Sequence, residues 1–292
     1  MTECLDYFEK EEDIIPFCKK QLEICGVEYF DYYLMHAQSR GNYDHFKKCH
    51  AYETAFKLKE MGLVKHVGLS FHDSPEFLDK ILNEYPDVEV VQIQFNYLDY
   101  DNPNVQSKGV YDVCRKHNKP ILVMEPVKGG TLANLPLDAK KIVDSLNVSP
   151  ASLAIRYAAS FEGMIRVLSG MSSLEQMKDN ISFMKEFKKI DKNEEKVISK
   201  VVEKLKDTNS IPCTGCAYCT NNCPIGVPIP EIFKLYNSKK LYNNWGVKEK
   251  YEELIKSKCD PKDCLHCGAC ESACPQKLEI RELLEKVSKE FE

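Results

Sequence analysis

Eight cysteines arranged in two copies of one spacing constrain this chain more than any other feature. The first copy reads CTGCAYCTNNCP, from Cys213 to Pro224, and the second reads CLHCGACESACP, from Cys264 to Pro275. Both fit C-x2-C-x2-C-x3-C-P, a spacing in which three cysteines hold one iron–sulfur cluster and the fourth ligates the other cluster. The spacing therefore predicts two [4Fe–4S] clusters.

The crossed use of the fourth cysteine defines two expected ligand sets. The first consists of Cys213, Cys216, Cys219 and Cys274, and the second of Cys264, Cys267, Cys270 and Cys223. The alternatives are structural zinc, which prefers ligands in two C-x2-C pairs, and disulfides, which a reducing compartment disfavours. Cys259 lies outside both copies and is expected not to be a ligand.

Composition and charge limit the partners and the cellular compartment that we expect for this protein. The chain has 292 residues and fourteen cysteines, and its formal charge of -5 is spread without a basic stripe, so nucleic acid is not an expected partner. The N-terminal sequence MTECLDYFEKEEDIIPF is acidic where a signal peptide is basic, and no stretch reaches the roughly 20 apolar residues of a membrane helix. We therefore predict a cytoplasmic protein with no membrane partner.

Short apolar runs alternate with amphipathic stretches between residues 29 and 169, a pattern typical of parallel strands within a shell of helices. Strands are predicted at Tyr29–His36, Lys65–Ser70, Val88–Phe95, Pro120–Glu125 and Arg166–Ser169. Helices are predicted at Tyr43–Met61, Ser74–Glu84, Asn104–His117 and Ser149–Phe161. Polar residues follow several of these strands, at the edge where parallel α/β proteins bind ligands.

A domain boundary is expected near Asp207, after a charged helical segment at Lys185–Asp207. Residues 1–207 would form the α/β domain and residues 208–292 the cysteine-rich one. The segments IPEIFKLYN and VKEKYEELIKS favour a mainly helical two-cluster module. Five βα units are fewer than the eight of a closed barrel, and the chain has no G-x-G-x-x-G dinucleotide motif.

An ordered set of motifs resembles the aldo/keto reductase family, specifically the branch with a C-terminal ferredoxin-like domain. The matching stretches are DYYLMH, GLVKHVGLSFH, VVQIQFNYLD, VMEPVKGG, SPASLAIRYA and VLSGMSSLEQMKDN. The resemblance implies a partial TIM-type (β/α)8 barrel, with about five of the eight βα units, that binds NAD(H) or NADP(H) without a glycine-rich motif.

The resemblance also assigns site residues. His36 matches the histidine that binds the substrate carbonyl, and Ser70 and Gln92 match positions that hold the nicotinamide carboxamide. The positions that match the loop and helix around the adenosine end are Met171, Ser172, Ser173, Gln176 and Asn180. The basic clamp for a 2'-phosphate is missing here, so NADH is favoured over NADPH.

The family's catalytic aspartate, tyrosine and lysine have no counterpart in this sequence, because they belong to the first three βα units. A barrel without those strands would expose two sheet edges. Three explanations are open: a truncated reading frame, which we prefer, strands supplied by a separate polypeptide, or a half-barrel that oligomerises.

Two functions follow from these observations. The first is an oxidoreductase that transfers hydride between a nicotinamide cofactor and a carbonyl or alcohol substrate, linked to electron transfer through the two clusters. The second is an electron-transfer or binding module, serving a redox partner protein, in which the barrel is not catalytic. A third interpretation treats the clusters as staples of a domain too small to have a core of its own.

Overall fold

The computed structural model describes residues 2–4, 8–242 and 246–292 of the chain. Its six strands are β1 (Thr2–Cys4), β2 (Phe30–Gln38), β3 (Val64–Phe71), β4 (Val90–Gln94), β5 (Ile121–Met124) and β6 (Met164–Val167). They form one parallel sheet in sequence order, with β1 and β6 at its two edges.

Nine helices lie before, between and after these strands in the described residues up to Lys206. They are α1 (Ile14–Cys25), α2 (Tyr43–Lys48), α3 (Ala51–Glu60), α4 (Pro75–Glu84), α5 (Ser107–Lys116), α6 (Leu137–Asp144), α7 (Pro150–Ala159), α8 (Leu174–Met184) and α9 (Lys192–Lys206). The cysteine-rich region contains α10 (Tyr218–Asn221), α11 (Ile229–Tyr242), α12 (Val247–Ser257), α13 (Ala269–Ser272) and α14 (Ile280–Phe291).

The predicted parallel α/β class is confirmed, and each predicted strand is present. The sheet has six strands where five were expected, because Thr2–Cys4 pairs with β2. A strand of three residues is too short for alternation of apolar and polar positions to reveal it.

The predicted helix Tyr43–Met61 is two helices rather than one. His50 has φ of 49° between them, in the left-handed region, and this ends α2 and starts α3. The charged helix begins at Lys192 instead of Lys185, because the Asp191 carboxylate accepts hydrogen bonds from Asn193 N and Glu194 N and so caps α9.

The chain divides into two compact units, of which the first comprises Met1–Pro126 and Ala158–Ser169. This unit holds the sheet, in which β4 is buried along its whole length. Gly68 on β3 permits close packing of the neighbouring strands, because a Cβ there would lie 2.4 Å from the carbonyl oxygen of Val90 and 2.7 Å from Leu34 Cδ2.

The second unit comprises Val127–Tyr157 and Gly170–Glu292. In its cysteine-rich part, Phe233 and Tyr236 of α11 and Val287 of α14 are fully buried. The rings of Tyr251 and Phe291 stack with centroids 4.4 Å apart. The region is mainly helical, as predicted, and it has an apolar core besides its cysteines.

Within the described residues, no helix combines the length and hydropathy needed to cross a bilayer.

Candidate functional site

A cavity in the cysteine-rich region is lined by thiols from both motifs. Cys213, Cys216 and Cys219 of the first motif face it together with Cys274, the last cysteine of the second. Ile229, Phe233 and Ile280 supply apolar walls. The fold therefore gathers the first predicted ligand set around one space.

A second cavity has the reciprocal set of cysteines. Cys264, Cys267 and Cys270 of the second motif line it with Cys223, the last cysteine of the first motif. Its walls include Ile225, Val227 and Leu284. The fourth cysteine of each motif thus lies with the first three of the other.

The two cysteine loops repeat the same backbone conformation. Gly215 and Ala217 in the first loop have positive φ, and so do His266 and Gly268 at the equivalent positions of the second. Left-handed backbone is unfavourable for residues with a Cβ, so its recurrence at Ala217 and His266 marks a conformation that the loops require.

These turns direct backbone N–H groups toward sulfur. Gly215 N donates to Cys213 Sγ at 3.4 Å, and His266 N donates to Cys264 Sγ at 3.5 Å. Val227 N donates to Cys223 Sγ at 3.4 Å. Such bonds stabilise a thiolate and are among the features that set the potential of an iron–sulfur cluster.

Burial is the largest cause of the shifted pKa values of Cys213 and Cys219. It raises the pKa of Cys213 to about 11, although the Gly215 N–H and the Lys128 ammonium act in the opposite direction. Burial also raises the pKa of Cys219 to about 11. A cysteine ligates a metal as the thiolate and not as the protonated thiol. Metal binding by these cysteines would therefore release protons.

Cys259 lines neither cavity. It packs against the apolar core of this region, and its Sγ lies 3.6 Å from the carbonyl oxygen of Asp260. Among the described residues, no three His, Cys, Asp or Glu side chains converge on the position of a single metal ion. The thiols of each cavity surround a space instead.

In the sheet-containing unit, His36 lies at an irregularity within β2 rather than at its end, because the strand continues to Gln38. The register shifts between Met35 and Gln38, and Ala37 has φ of 47°. Ala37 N donates to Ser70 Oγ at 2.8 Å. The buried Ser70 hydroxyl thus holds the bulge that carries His36.

Gln92 is paired in register with Ser70 on the neighbouring strand. Its side chain is 7% exposed, and its Oε1 has no hydrogen-bond partner. Its Nε2 donates to Glu3 Oε1 at 3.4 Å, and Glu3 Oε2 lies 3.6 Å from His36 Nε2. His36, Ser70 and Gln92 are therefore close together, and Gln92 offers a buried acceptor.

The residues predicted around the adenosine end lie in the second unit and form the start of α8. Ser173 is the N-cap, and its Oγ accepts from Gln176 N at 3.3 Å, while Gln176 Oε1 accepts from Ser172 N at 2.7 Å. Met171 is 40% exposed beside this cap. Asn180 lies further along the same helix.

Three residues of these sites were not expected. Glu3 was missed because β1 is too short to recognise. The buried Lys128 lies in a loop that the sequence shows only to be polar. The buried Gln276 directly follows Cys274 and Pro275, outside the cysteine spacing itself. No spacing pattern identifies such contacts.

A parallel α/β sheet followed in the chain by a helical region with two thiol-lined cavities is the arrangement expected of an oxidoreductase with an iron–sulfur domain. The chain belongs to the aldo/keto reductase family: the model for the Aldo/keto reductase family matches residues 6–203. The model for the 4Fe-4S dicluster domain matches residues 212–278. The predicted family, its TIM-like fold and its iron–sulfur domain are thereby confirmed.

Solved aldo/keto reductases share the fold at low identity. The holo form of AKR11C1 from Bacillus halodurans is 21% identical, with a TM-score of 0.55 over 66% of this chain and 65% of that one. An enzyme from Brucella melitensis is 20% identical, with a TM-score of 0.54 over 68% and 72% of the two chains. An enzyme from Klebsiella pneumoniae, solved in complex with NADPH, is 14% identical, with a TM-score of 0.54 over 68% of each chain.

The present chain thus spans about two thirds of the length of these relatives. No curated protein matches it.

Proposed function

We propose that this chain is an iron–sulfur oxidoreductase that holds two [4Fe–4S] clusters and a nicotinamide cofactor. The observation that supports it most strongly is the exchange of the fourth cysteine between the two thiol-lined cavities. That exchange is the arrangement expected of a two-cluster ferredoxin module.

The residues around each cavity fit an iron–sulfur cluster better than zinc. A zinc ion takes thiolates at about 2.3 Å, which draws four sulfurs toward one point. Here each set of four thiols instead lines a cavity with apolar walls, and no three of the described His, Cys, Asp or Glu side chains converge on the position of one metal ion. Backbone N–H groups already point at Cys213, Cys223 and Cys264 Sγ. Clusters in these cavities would supply one-electron transfer.

His36, Ser70 and Gln92 fit the nicotinamide end of a cofactor. A carboxamide NH2 would give Gln92 Oε1 the partner that it lacks, because a buried acceptor is costly when unpaired. Ser70 keeps the His36 bulge in place, and His36 Nε2 would hold the oxygen of a carbonyl or alcohol substrate. In the second unit, the resemblance assigns Ser172 and Ser173 to the adenosine end, and the start of α8 that Ser173 caps is a helix N-terminus of the kind that can accept a phosphate.

The electron count constrains how these sites work together. A nicotinamide transfers two electrons as hydride, whereas a [4Fe–4S] cluster transfers one. Coupling the two sites therefore needs a flavin-class carrier, which takes up two electrons and passes them on singly. A flavin-containing redox partner protein would supply it.

A second candidate function is electron transfer alone, with the barrel as a binding scaffold. It is favoured by the two complete cysteine motifs, whose eight cysteines line the two cavities four by four.

A titration separates the candidates. Anaerobically reconstituted protein is titrated with NADH, with and without free flavin, and bleaching of the ~400 nm absorption of the clusters is followed. Bleaching by NADH with flavin supports the coupled oxidoreductase. Bleaching only by dithionite contradicts the coupling and supports electron transfer alone, and failure to develop the absorption contradicts both.

A further inference from the structure

The wall of the second thiol-lined cavity includes an apolar patch of the protein surface. Leu265, which lines this cavity, is 63% exposed. Pro224 and Cys267 also line it and are exposed, and Ile225 is partly exposed. We call these four residues the Leu265 patch. The patch joins the surface to the space that the second set of cysteines surrounds.

The equivalent position of the first cysteine loop is covered instead. Thr214, which corresponds to Leu265, is only partly exposed. The Gly129 backbone packs against it, since a Cβ on Gly129 would lie 2.4 Å from the carbonyl oxygen of Thr214 and 2.7 Å from its Cα. Tyr218 is an exposed aromatic residue of the first motif, but it does not line the first cavity. The two cavities therefore differ in how they reach the surface.

An ion pair holds the loop that carries Leu265. Arg281 Nη2 lies 2.7 Å from Glu271 Oε2, and Arg281 Nη1 donates to the carbonyl oxygen of His266 at 3.2 Å. These contacts hold the backbone beside Leu265, while the two charges stay paired with each other. The pair therefore shapes the loop without adding net charge beside the patch.

We propose that the Leu265 patch is the docking surface for a one-electron redox protein whose flavin-class prosthetic group is exposed among apolar side chains. The second cluster exchanges electrons with this partner, and the covered loop of the first cluster does not contact it. The proposal rests on the proposed function, since it requires the cluster on Cys264, Cys267, Cys270 and Cys223.

The chemistry of electron exchange favours this occupant. Electrons pass between proteins only when the two redox centres come close, because the rate falls steeply with distance. Cys267 belongs both to the second ligand set and to the patch, so a protein bound there contacts a cluster ligand. Electron-transfer contacts are small, and the buried centre of an interface is apolar. In the step, the reduced cluster loses one electron, and the oxidised flavin gains it together with a proton from water.

Amide hydrogen exchange of the reconstituted full chain tests the docking, with flavodoxin as the probe. Adding oxidised flavodoxin should slow exchange in residues 264–268 and leave residues 213–217 unchanged. Protection of both loops, or of neither, would overturn the proposal. Slower exchange in residues 264–268 at higher concentrations of the chain alone would place a second copy on the patch, and this would overturn the proposal as well.

Variants separate docking from effects on the cluster. Leu265→Ser should weaken flavodoxin binding, and slow electron transfer from the reduced chain to flavodoxin, by roughly fivefold or more. Leu265→Met keeps the patch apolar and should change both quantities little. Leu137→Ser is the matched control, because Leu137 is 72% exposed but lines neither cavity. It should match the wild type.

Ferricyanide provides the second control, because a small oxidant needs no docking surface. It should oxidise the clusters of all three variants at the wild-type rate. If Leu265→Ser slowed ferricyanide as much as flavodoxin, Leu265 would act on the cluster and the proposal would be wrong. Equal effects of Leu265→Ser and Leu137→Ser would also contradict it. Failure of the wild-type chain to bind iron would instead contradict the proposed function.

Discussion

Cys274, the last cysteine of the second motif, lines the same cavity as Cys213, the first cysteine of the first motif. The two thiols are near enough for their charges to interact. This relationship ties the two motifs into one structural unit, because neither motif completes a four-thiol cavity by itself.

Paired cysteine variants test the crossed assignment. Cys213→Ser with Cys274→Ser removes two ligands from one cluster and should cost roughly half of the iron. Cys213→Ser with Cys223→Ser removes one ligand from each cluster and should lose most of it. If Cys213→Ser with Cys274→Ser instead lost more iron than Cys213→Ser with Cys223→Ser, each motif would hold its own cluster. Cys259→Ala is the control and should keep its iron.

Gln92→Leu should weaken NADH binding about tenfold, the effect of one lost hydrogen bond of about 1.4 kcal/mol. The substitution also removes a buried acceptor that has no partner, so stability should not fall in parallel. Calorimetric titration with NADH and urea unfolding measure the two effects. Unchanged affinity would remove Gln92 from the proposed site.

The ion pair between Arg156 and Glu194 should contribute strongly to stability. Arg156 Nη1 and Nη2 donate to the two carboxylate oxygens at 2.7 and 2.9 Å, and each side chain is only 10% exposed. Glu194→Gln breaks this buried, two-pronged ion pair and should destabilise the chain by about 3 kcal/mol in urea unfolding. Asp112→Asn, in an exposed pair with Lys108, should change the midpoint little; equal effects would contradict this account.

Stability should depend on pH through Glu84. Hydrogen bonds from the Tyr43 hydroxyl and the Lys47 ammonium hold the pKa of Glu84 below its ordinary value of 4.5. A carboxylate with a lowered pKa stabilises the fold above the unfolded-state pKa, and this contribution disappears as the pH falls through the folded-state value.

The free energy of unfolding of the wild type should therefore exceed that of Glu84→Gln by about 0.5–1 kcal/mol near pH 7. The difference is this small because the Glu84 carboxylate is partly exposed to solvent. The difference should close below about pH 4. Urea unfolding of both proteins across this range measures it, and a difference independent of pH would contradict the assignment.

The sequence predicts five of the six strands because each of the five is an apolar run between polar segments. It also predicts which cysteines line each cavity, because the spacing of iron–sulfur ligands is fixed by the cluster. It does not predict the break in the helix at His50, since that depends on one left-handed residue. The contacts of Lys128 with Gln276 and of Gly129 with Thr214 join segments far apart in the chain. They arise only from tertiary packing, which no local pattern encodes.

His36 likewise combines a feature that the sequence indicates with a geometry that depends on tertiary contacts. Resemblance indicates the residue, but the bulge that places it depends on a bond from Ala37 N to Ser70 Oγ. The neighbouring Glu3 carboxylate belongs to a strand of only three residues. Predicting the site geometry would have required both long-range contacts.

The most direct test of the central claim is the iron and acid-labile sulfide content of the anaerobically reconstituted chain. Two [4Fe–4S] clusters predict about eight iron atoms and about eight sulfides per chain. Fewer than about four iron atoms, or zinc bound without sulfide, would contradict the account.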